Sequence, residues 1–140
     1  MKKTFVWTEE YSVHVAELDE QHREFINICN GLIDLAESAL FAKDEALTEV
    51  MKLGDYAVYH LSTEEELFAK ISYPDAVPHT ESHNQFREKA KIFIDKTRAE
   101  NADIKRIAEA VAEFAAEWLL NHILHVDKKY SEFFNQHGIK

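Results

Sequence analysis

The chain has 140 residues, a length that fits one domain with a substantial core. Its 26 acidic residues outnumber the 16 basic ones and give a formal net charge of -10, so the protein should repel phosphate backbones, and we expect no nucleic-acid partner. Uninterrupted apolar runs reach at most four residues, as at 39–42, whereas a bilayer span needs about 20. We therefore expect no membrane insertion.

The pattern of apolar residues predicts long helices. Only three glycines and two prolines occur, which is too few turn signals for a many-stranded fold. Apolar residues recur at alternating steps of three and four, the period of helices that pack in a bundle. The predicted order is an N-terminal arm at 1–17, helices at 19–40, 43–71, 78–98 and 103–134 within a bundle at 18–134, and a tail at 135–140.

The connections between these helices are short and favour antiparallel neighbours. We therefore predict an all-α, up-down-up-down four-helix bundle that forms a single domain over residues 1–140. The arm carries Phe5, Trp7, Val13 and Val15, which should pack along the bundle.

The single cysteine, Cys29, cannot form an intrachain disulfide, and no long apolar leader opens the sequence. Both observations favour a cytoplasmic protein. Cys29 lies on the inward face of the first predicted helix, which favours a small buried hydrophobic residue over a redox thiol.

Polar residues interrupt the inward face of every predicted helix. They are His22, His60, Glu64, His79, His83 and His122. In an antiparallel bundle these positions all lie at the same end. Burial of so many polar side chains without partners would be costly, whereas a cation uses imidazole lone pairs and neutralises a carboxylate. The sequence therefore predicts a metal site in this layer.

The local spacings suit metal ligands. His60 and Glu64 are four residues apart, as are His79 and His83, so each pair projects from one face of a helix. His122 and Asp127 are five apart. That spacing suits either a carboxylate that reaches a second metal or a local irregularity of the helix.

Four segments of the sequence resemble the hemerythrin family in its single-domain bacterial form. They are Asp19-Glu20-Gln21-His22, His60-x-x-x-Glu64-Glu65, Tyr73-Pro74-x-x-x-x-His79-x-x-x-His83-x-x-Phe86, and Trp118-Leu119-x-x-His122-Ile123-x-x-x-Asp127-Lys128-x-Tyr130. The match spans nearly the whole chain and fills all seven expected ligand positions. It departs at His14, where family members often have glycine, and at Phe68, where methionine is common.

This resemblance implies two non-haem iron ions per chain, bridged by an oxo or hydroxo group and by two carboxylates. The implied ligands are His22, His60, Glu64, His79, His83, His122 and Asp127. By analogy with the family, Glu64 and Asp127 bridge, and three histidines (His79, His83 and His122) saturate one iron. The other iron, held by His22 and His60, then keeps a position open for dioxygen.

The function that the resemblance implies is reversible dioxygen binding for storage, transport or delivery, in a protein that is not an enzyme. Two other classes stay open: a di-iron peroxidase, oxidase or nitric-oxide-handling enzyme, and an oxygen- or iron-sensing or buffering module. No Glu-x-x-His pair, typical of carboxylate-rich di-iron enzymes, occurs in the sequence, and its absence favours the carrier. Expected partners are dioxygen and an oxygen-consuming enzyme. We expect a monomer, with an oligomer as the alternative.

Several residues near the predicted ligands are candidates for supporting the site rather than for binding the metal. Trp118 and Leu119 precede His122 and are interpreted either as walls of a dioxygen pocket or as plain core. Asp19 and Glu24 are candidates for hydrogen bonds to ligand imidazoles. The residues that we expect at the solvated surface are Glu65, Glu66, His14 and His137. For His125 we expect no ligation, and either a surface position or a contact with a ligand.

Overall fold

Four long helices form the body of the protein. The computed structural model describes residues 4–140 and places α1 at Ala16–Glu37, α2 at Lys43–Ile71, α3 at Ala76–Thr97 and α4 at Ile104–His125. A 3-10 turn at Asp127–Tyr130 and a short helix α5 at Ser131–Gln136 follow. No strand occurs within these described residues, so the predicted all-α class and four-helix bundle are confirmed.

Each helix packs against the next one in the chain, and α1 closes the bundle against α4. The start of α1 meets the end of α2, where the ring centroids of His22 and His60 are 4.5 Å apart. The start of α3 meets the end of α4, where the rings of His79 and His122 are 4.8 Å apart. Consecutive helices therefore run antiparallel. Between residues 4 and 140, no helix has both the length and the apolar character that a membrane crossing requires.

The first helix begins at Ala16, three residues before the predicted start. The reason is the role of Asp19, whose Oδ1 accepts a hydrogen bond from the backbone N–H of Val13 at 2.8 Å and whose Oδ2 accepts one from Ser12 Oγ at 2.6 Å. Asp19 thus holds the arm against the first turn of α1, and it is not the residue at which α1 begins. The helix also ends early, at Glu37, because Ser38 has an extended backbone.

The prediction of one continuous helix over 103–134 is wrong. α4 ends at His125, where Val126 leaves the helical conformation with φ -123° and ψ -57°. The following turn buries Asp127 and Tyr130 completely, and α5 returns Phe134 to the core. The break lets Asp127 face inward like His122, although a spacing of five residues would set the two side chains about 140° apart on a regular helix.

The N-terminal arm packs along the bundle, as predicted for its described part; residues 1–3 lie outside the described residues. Val13 and Val15 are buried. The backbone of Phe5 exchanges two hydrogen bonds with the side chain of Asn30, at 3.0 and 2.8 Å. His14 has a φ of 59°, a left-handed conformation that favours glycine.

We expect the thiol of Cys29 to be unreactive in the folded protein. It is fully buried on α1, and burial raises its pKa to about 12. Because the thiolate is the reactive form, iodoacetamide at about pH 8 should label Cys29 only after the chain unfolds. Mass spectrometry with and without urea checks this expectation. Rapid labelling of the folded protein would show that solvent reaches the inner face of α1.

Candidate metal centre

Seven buried side chains meet in one layer near the end of the bundle. They come from all four long helices and from the 3-10 turn, and they are His22, His60, Glu64, His79, His83, His122 and Asp127. The most exposed of them, His122, shows only 5% of its surface to solvent. The structure thus brings together every residue that the sequence singled out as a metal ligand.

Asp127 lies between two groups of imidazoles. Its Oδ1 is 2.9 Å from His79 Nε2 and 3.0 Å from His122 Nε2, and its Oδ2 is 3.2 Å from His22 Nε2. On a continued helix, Asp127 would point about 140° away from His122 around the axis. The break after His125 turns it inward. Asp127 thus contacts imidazoles of both groups, and the helix irregularity that the five-residue spacing suggested is present.

Glu64 occupies the other side of the same layer. Its Oε1 lies 3.1 Å from His83 Nε2 and 3.8 Å from His60 Nε2, and its Oε2 lies 3.8 Å from His22 Nε2. Glu64 Oε2 also accepts a hydrogen bond from the hydroxyl of Tyr130 at 2.5 Å. A hydroxyl donor of this kind holds the carboxylate in one orientation within the core.

The layer divides into two donor groups that share both carboxylates. One group holds His79, His83 and His122 together with Glu64 and Asp127, and the other holds His22 and His60 with the same two carboxylates. Within each group, the possible ligand atoms all lie within 4.8 Å of one another. The arrangement suits two neighbouring metal ions, one with three imidazoles and one with two.

The two carboxylates of the layer also favour the binding of cations. Burial and the nearby Asp127 would each raise the pKa of Glu64, but the imidazoles of His60, His22 and His83 outweigh them and lower it. Burial likewise opposes ionisation of Asp127, yet its imidazole neighbours hold its pKa well below the usual value. For His22, burial favours the neutral ring, but the nearby carboxylates of Asp127 and Glu64 outweigh it and raise its pKa to about 9.

Metal ions fit this layer because several buried polar atoms in it have no hydrogen-bond partner within residues 4–140. They are His22 Nδ1 and Nε2, His60 Nε2, Glu64 Oε1, His83 Nε2, and both carboxylate oxygens of Asp127. A buried polar atom without a partner costs on the order of 1–3 kcal/mol. Imidazole nitrogens and carboxylate oxygens are common ligands of iron. Coordination would satisfy most of these atoms at once.

Three side chains that the sequence interpretation did not identify contact the outer nitrogens of the imidazoles. Gln21 Oε1 lies 2.8 Å from His60 Nδ1, Ser82 Oγ lies 3.1 Å from His122 Nδ1, and Glu65 Oε2 lies 2.7 Å from His83 Nδ1. Glu65 was predicted to lie at the solvated surface, and that prediction is wrong because its carboxylate contacts His83. Gln21 belongs to the segment that carried the family resemblance, but no spacing rule links Glu65 to His83 on another helix.

The two residues proposed for this outer role have other environments. Asp19 binds the arm, and Glu24 is exposed. Neither makes a hydrogen bond to a ligand imidazole among the described residues. His14 and His137 are exposed, as expected, and of the two roles left open for His125 the structure shows the exposed one.

Aromatic and aliphatic side chains surround the imidazoles. The ring of Trp118 stacks on that of His122, with centroids 4.3 Å apart and planes 14° from parallel. The ring of Phe68 lies 4.7 Å from that of His79. Leu119 is fully buried, whereas Trp118 is half-buried. These side chains separate the layer from solvent.

We expect Tyr130→Phe to destabilise the metal-free protein by about 1.5–3 kcal/mol, because Glu64 loses a hydrogen bond to a buried charge. Urea unfolding followed by circular dichroism measures the effect. Tyr73→Phe is the matched control, since the Tyr73 hydroxyl makes no hydrogen bond within residues 4–140 and packs in the same aromatic cluster. Equal losses in both variants would show that the hydroxyl of Tyr130 does not stabilise Glu64.

Comparison with known proteins gives a consistent result. The model of the hemerythrin HHE cation binding domain matches residues 13–134. A hemerythrin-like protein of Naegleria gruberi is 32% identical over 90% of both chains. A bacteriohemerythrin of Clostridium acetobutylicum is 27% identical over 90% of this chain and 98% of its own. A crystal structure of wild-type hemerythrin superposes with a TM-score of 0.79 at 28% identity, covering 93% of this chain and 97% of the other.

Proposed function

The chain belongs to the hemerythrin family, and from that premise we propose that it binds dioxygen reversibly at a pair of non-haem iron ions and serves in oxygen storage, transport or delivery. The observation that carries this proposal is the division of the buried layer into two donor groups that share Glu64 and Asp127. We propose further that residues 1–140 act as a single domain and as a cytoplasmic monomer.

The proposed ligands follow the two groups. His79, His83 and His122 would hold one iron, and His22 and His60 would hold the other. Glu64 and Asp127 would bridge the pair together with an oxo or hydroxo group. When bound, the iron pair supplies two electrons and an open coordination position for dioxygen. Because the second group offers only two imidazoles, that open position would lie on the side of His22 and His60.

The protein's own residues keep the site dry and fixed. Tyr130 is fully buried, and burial together with the two nearby carboxylates raises its pKa well above the usual value. The hydroxyl of Tyr130 therefore stays protonated and donates a hydrogen bond to Glu64. Leu119 and Trp118 are proposed to line the dioxygen pocket. Exclusion of water by such side chains protects a reversible adduct from side reactions.

Ligand chemistry supports a carrier over an enzyme. Carboxylate-rich di-iron proteins place a Glu-x-x-His pair on each of two helices, and this sequence has none. Five imidazoles and two carboxylates form a softer donor set with fewer anions, which favours the ferrous state. We propose that the protein returns dioxygen unchanged.

An oxygen electrode tests the proposed function. Metal-free protein is loaded with ferrous iron under argon, and its iron content is measured before oxygenated buffer is added. The proposal predicts two irons per chain, uptake of one dioxygen per iron pair, and recovery of that dioxygen when the solution is purged. Continuous consumption of dioxygen in the presence of an electron donor would identify an oxidase or peroxidase instead.

We expect Leu119→Ala to shorten the lifetime of the oxygenated protein several-fold, because the lost side chain admits water to the pocket. Leu32→Ala is the matched control: it is fully buried on α1, and it lies about 15 Å along the helix from His22. Both substitutions should cost about 2–5 kcal/mol of stability. Decay of the oxygenated spectrum at equal iron content separates the two effects, and equal lifetimes would contradict a pocket role for Leu119.

A further inference from the structure

The outer hydrogen-bond partners of the imidazoles differ in charge between the two donor groups. In the three-histidine group, His83 Nδ1 faces the carboxylate of Glu65 at 2.7 Å. In the two-histidine group, His60 Nδ1 faces the neutral amide of Gln21 at 2.8 Å. The distances are almost equal, so the difference between the two contacts is mainly one of charge.

Glu65 is held in place as a carboxylate. Arg87 Nη1 donates to Glu65 Oε2 at 2.8 Å, and Arg87 Nη2 donates to Glu65 Oε1 at 3.0 Å. Since Glu65 is an acceptor only, His83 must donate through Nδ1. Its Nε2, 3.1 Å from Glu64 Oε1, then presents a lone pair to the metal layer.

The contacts of its amide nitrogen fix the orientation of the Gln21 side chain. Its Nε2 lies 3.3 Å from the hydroxyl of Tyr59 and 3.5 Å from Thr63 Oγ1, so the amide oxygen faces His60. His60 therefore also donates through Nδ1 and presents Nε2 inward. Both rings thus carry their proton on Nδ1, but only His83 donates it to a negatively charged group.

We propose that Glu65 is a positioning residue that strengthens His83 as a ligand and so widens the difference in affinity between the two metal positions, which already differ in their number of imidazoles. The proposal rests on the two-metal function proposed above. A carboxylate that accepts a proton from a ligand imidazole fixes its ring and increases its basicity toward the metal. The position with His79, His83 and His122 therefore binds its ion first, and the position with His22 and His60 fills second.

Titration of the metal-free protein with Co²⁺, followed by the visible absorption of the bound ion, tests this order without any oxygen chemistry. The wild-type protein should bind two ions in two resolved steps. Glu65→Gln keeps a side chain of the same shape but removes its charge. It should weaken the first step by about 10–100-fold, the usual effect of such outer partners, and leave the second step unchanged. The matched control is Glu66→Gln, which makes the same charge change at an exposed neighbour and should titrate as the wild type.

Gln21→Glu provides the reciprocal test. It places a carboxylate against His60 and should strengthen the second step, which narrows the gap between the two dissociation constants. A merely structural role of Glu65 would lower the melting temperature and weaken both steps together. If Glu65→Gln does not fold, the dissociation constant of the second Co²⁺ in Gln21→Glu tests the proposal instead.

The outcomes separate the two proposals. A wild-type protein that binds fewer than two ions would overturn the two-metal function and the inference together. A wild-type protein that binds two ions, with the ratio of its two dissociation constants unchanged by Glu65→Gln or Gln21→Glu, would overturn the inference alone.

Discussion

Removal of iron should lower the melting temperature by at least about 10 °C while most of the helix content remains. Each ion present at about 1,000 times its dissociation constant stabilises the folded state by about 4 kcal/mol, and for a chain of this size each kcal/mol corresponds to a few degrees, about 3–5 °C. The metal-free layer also leaves buried polar atoms of His22, His60, Glu64, His83 and Asp127 without hydrogen bonds.

Thermal unfolding monitored by circular dichroism checks this result. The iron-loaded protein, the chelator-treated protein and the same sample reloaded with ferrous iron form the series. Reloading should restore the higher melting temperature. Equal melting temperatures for all three samples would show that the seven side chains do not form a buried metal site.

The second large effect concerns a single ligand. His122→Ala should reduce iron retention to about one ion per chain or fewer, because this imidazole lies 3.0 Å from Asp127 Oδ1 and 3.0 Å from His79 Nε2 within the three-histidine group. His125→Ala, on the exposed side of the same helix, should retain two ions.

Iron content after gel filtration, measured by elemental analysis, distinguishes the two variants. The comparison is informative because the substitutions have the same chemistry and lie within one turn of α4. If both variants kept two ions, His122 would not be a ligand. If both lost iron, a general destabilisation of α4 would explain the effect.

Much of the fold follows from local patterns in the sequence. The second helix was predicted at 43–71 and is found at Lys43–Ile71, because its inward residues keep a helical period without interruption. The same period placed six polar residues at one end of the bundle, and the structure buries all six there. Periodicity succeeds where burial and helix geometry agree.

Sequence patterns failed where a tertiary contact overrides the helical period. Asp127 leaves the helix because its carboxylate meets His22, His79 and His122 in three dimensions. The five-residue spacing from His122 suggested an irregularity but did not locate it at Val126. Glu65 appeared to be surface because it follows a ligand in an acidic run. Its contact with His83 joins two different helices, and a single sequence holds no record of such a pairing.

Visible absorption of the iron-loaded protein, alternated between air and argon, tests the central claim of reversible oxygen binding most directly. The protein is first reduced under argon, and spectra are recorded after each change of gas. We predict a band that appears in air, disappears under argon and returns with the same amplitude over repeated cycles. A band that persists under argon, or that fails to return on the second exposure to air, would contradict the account.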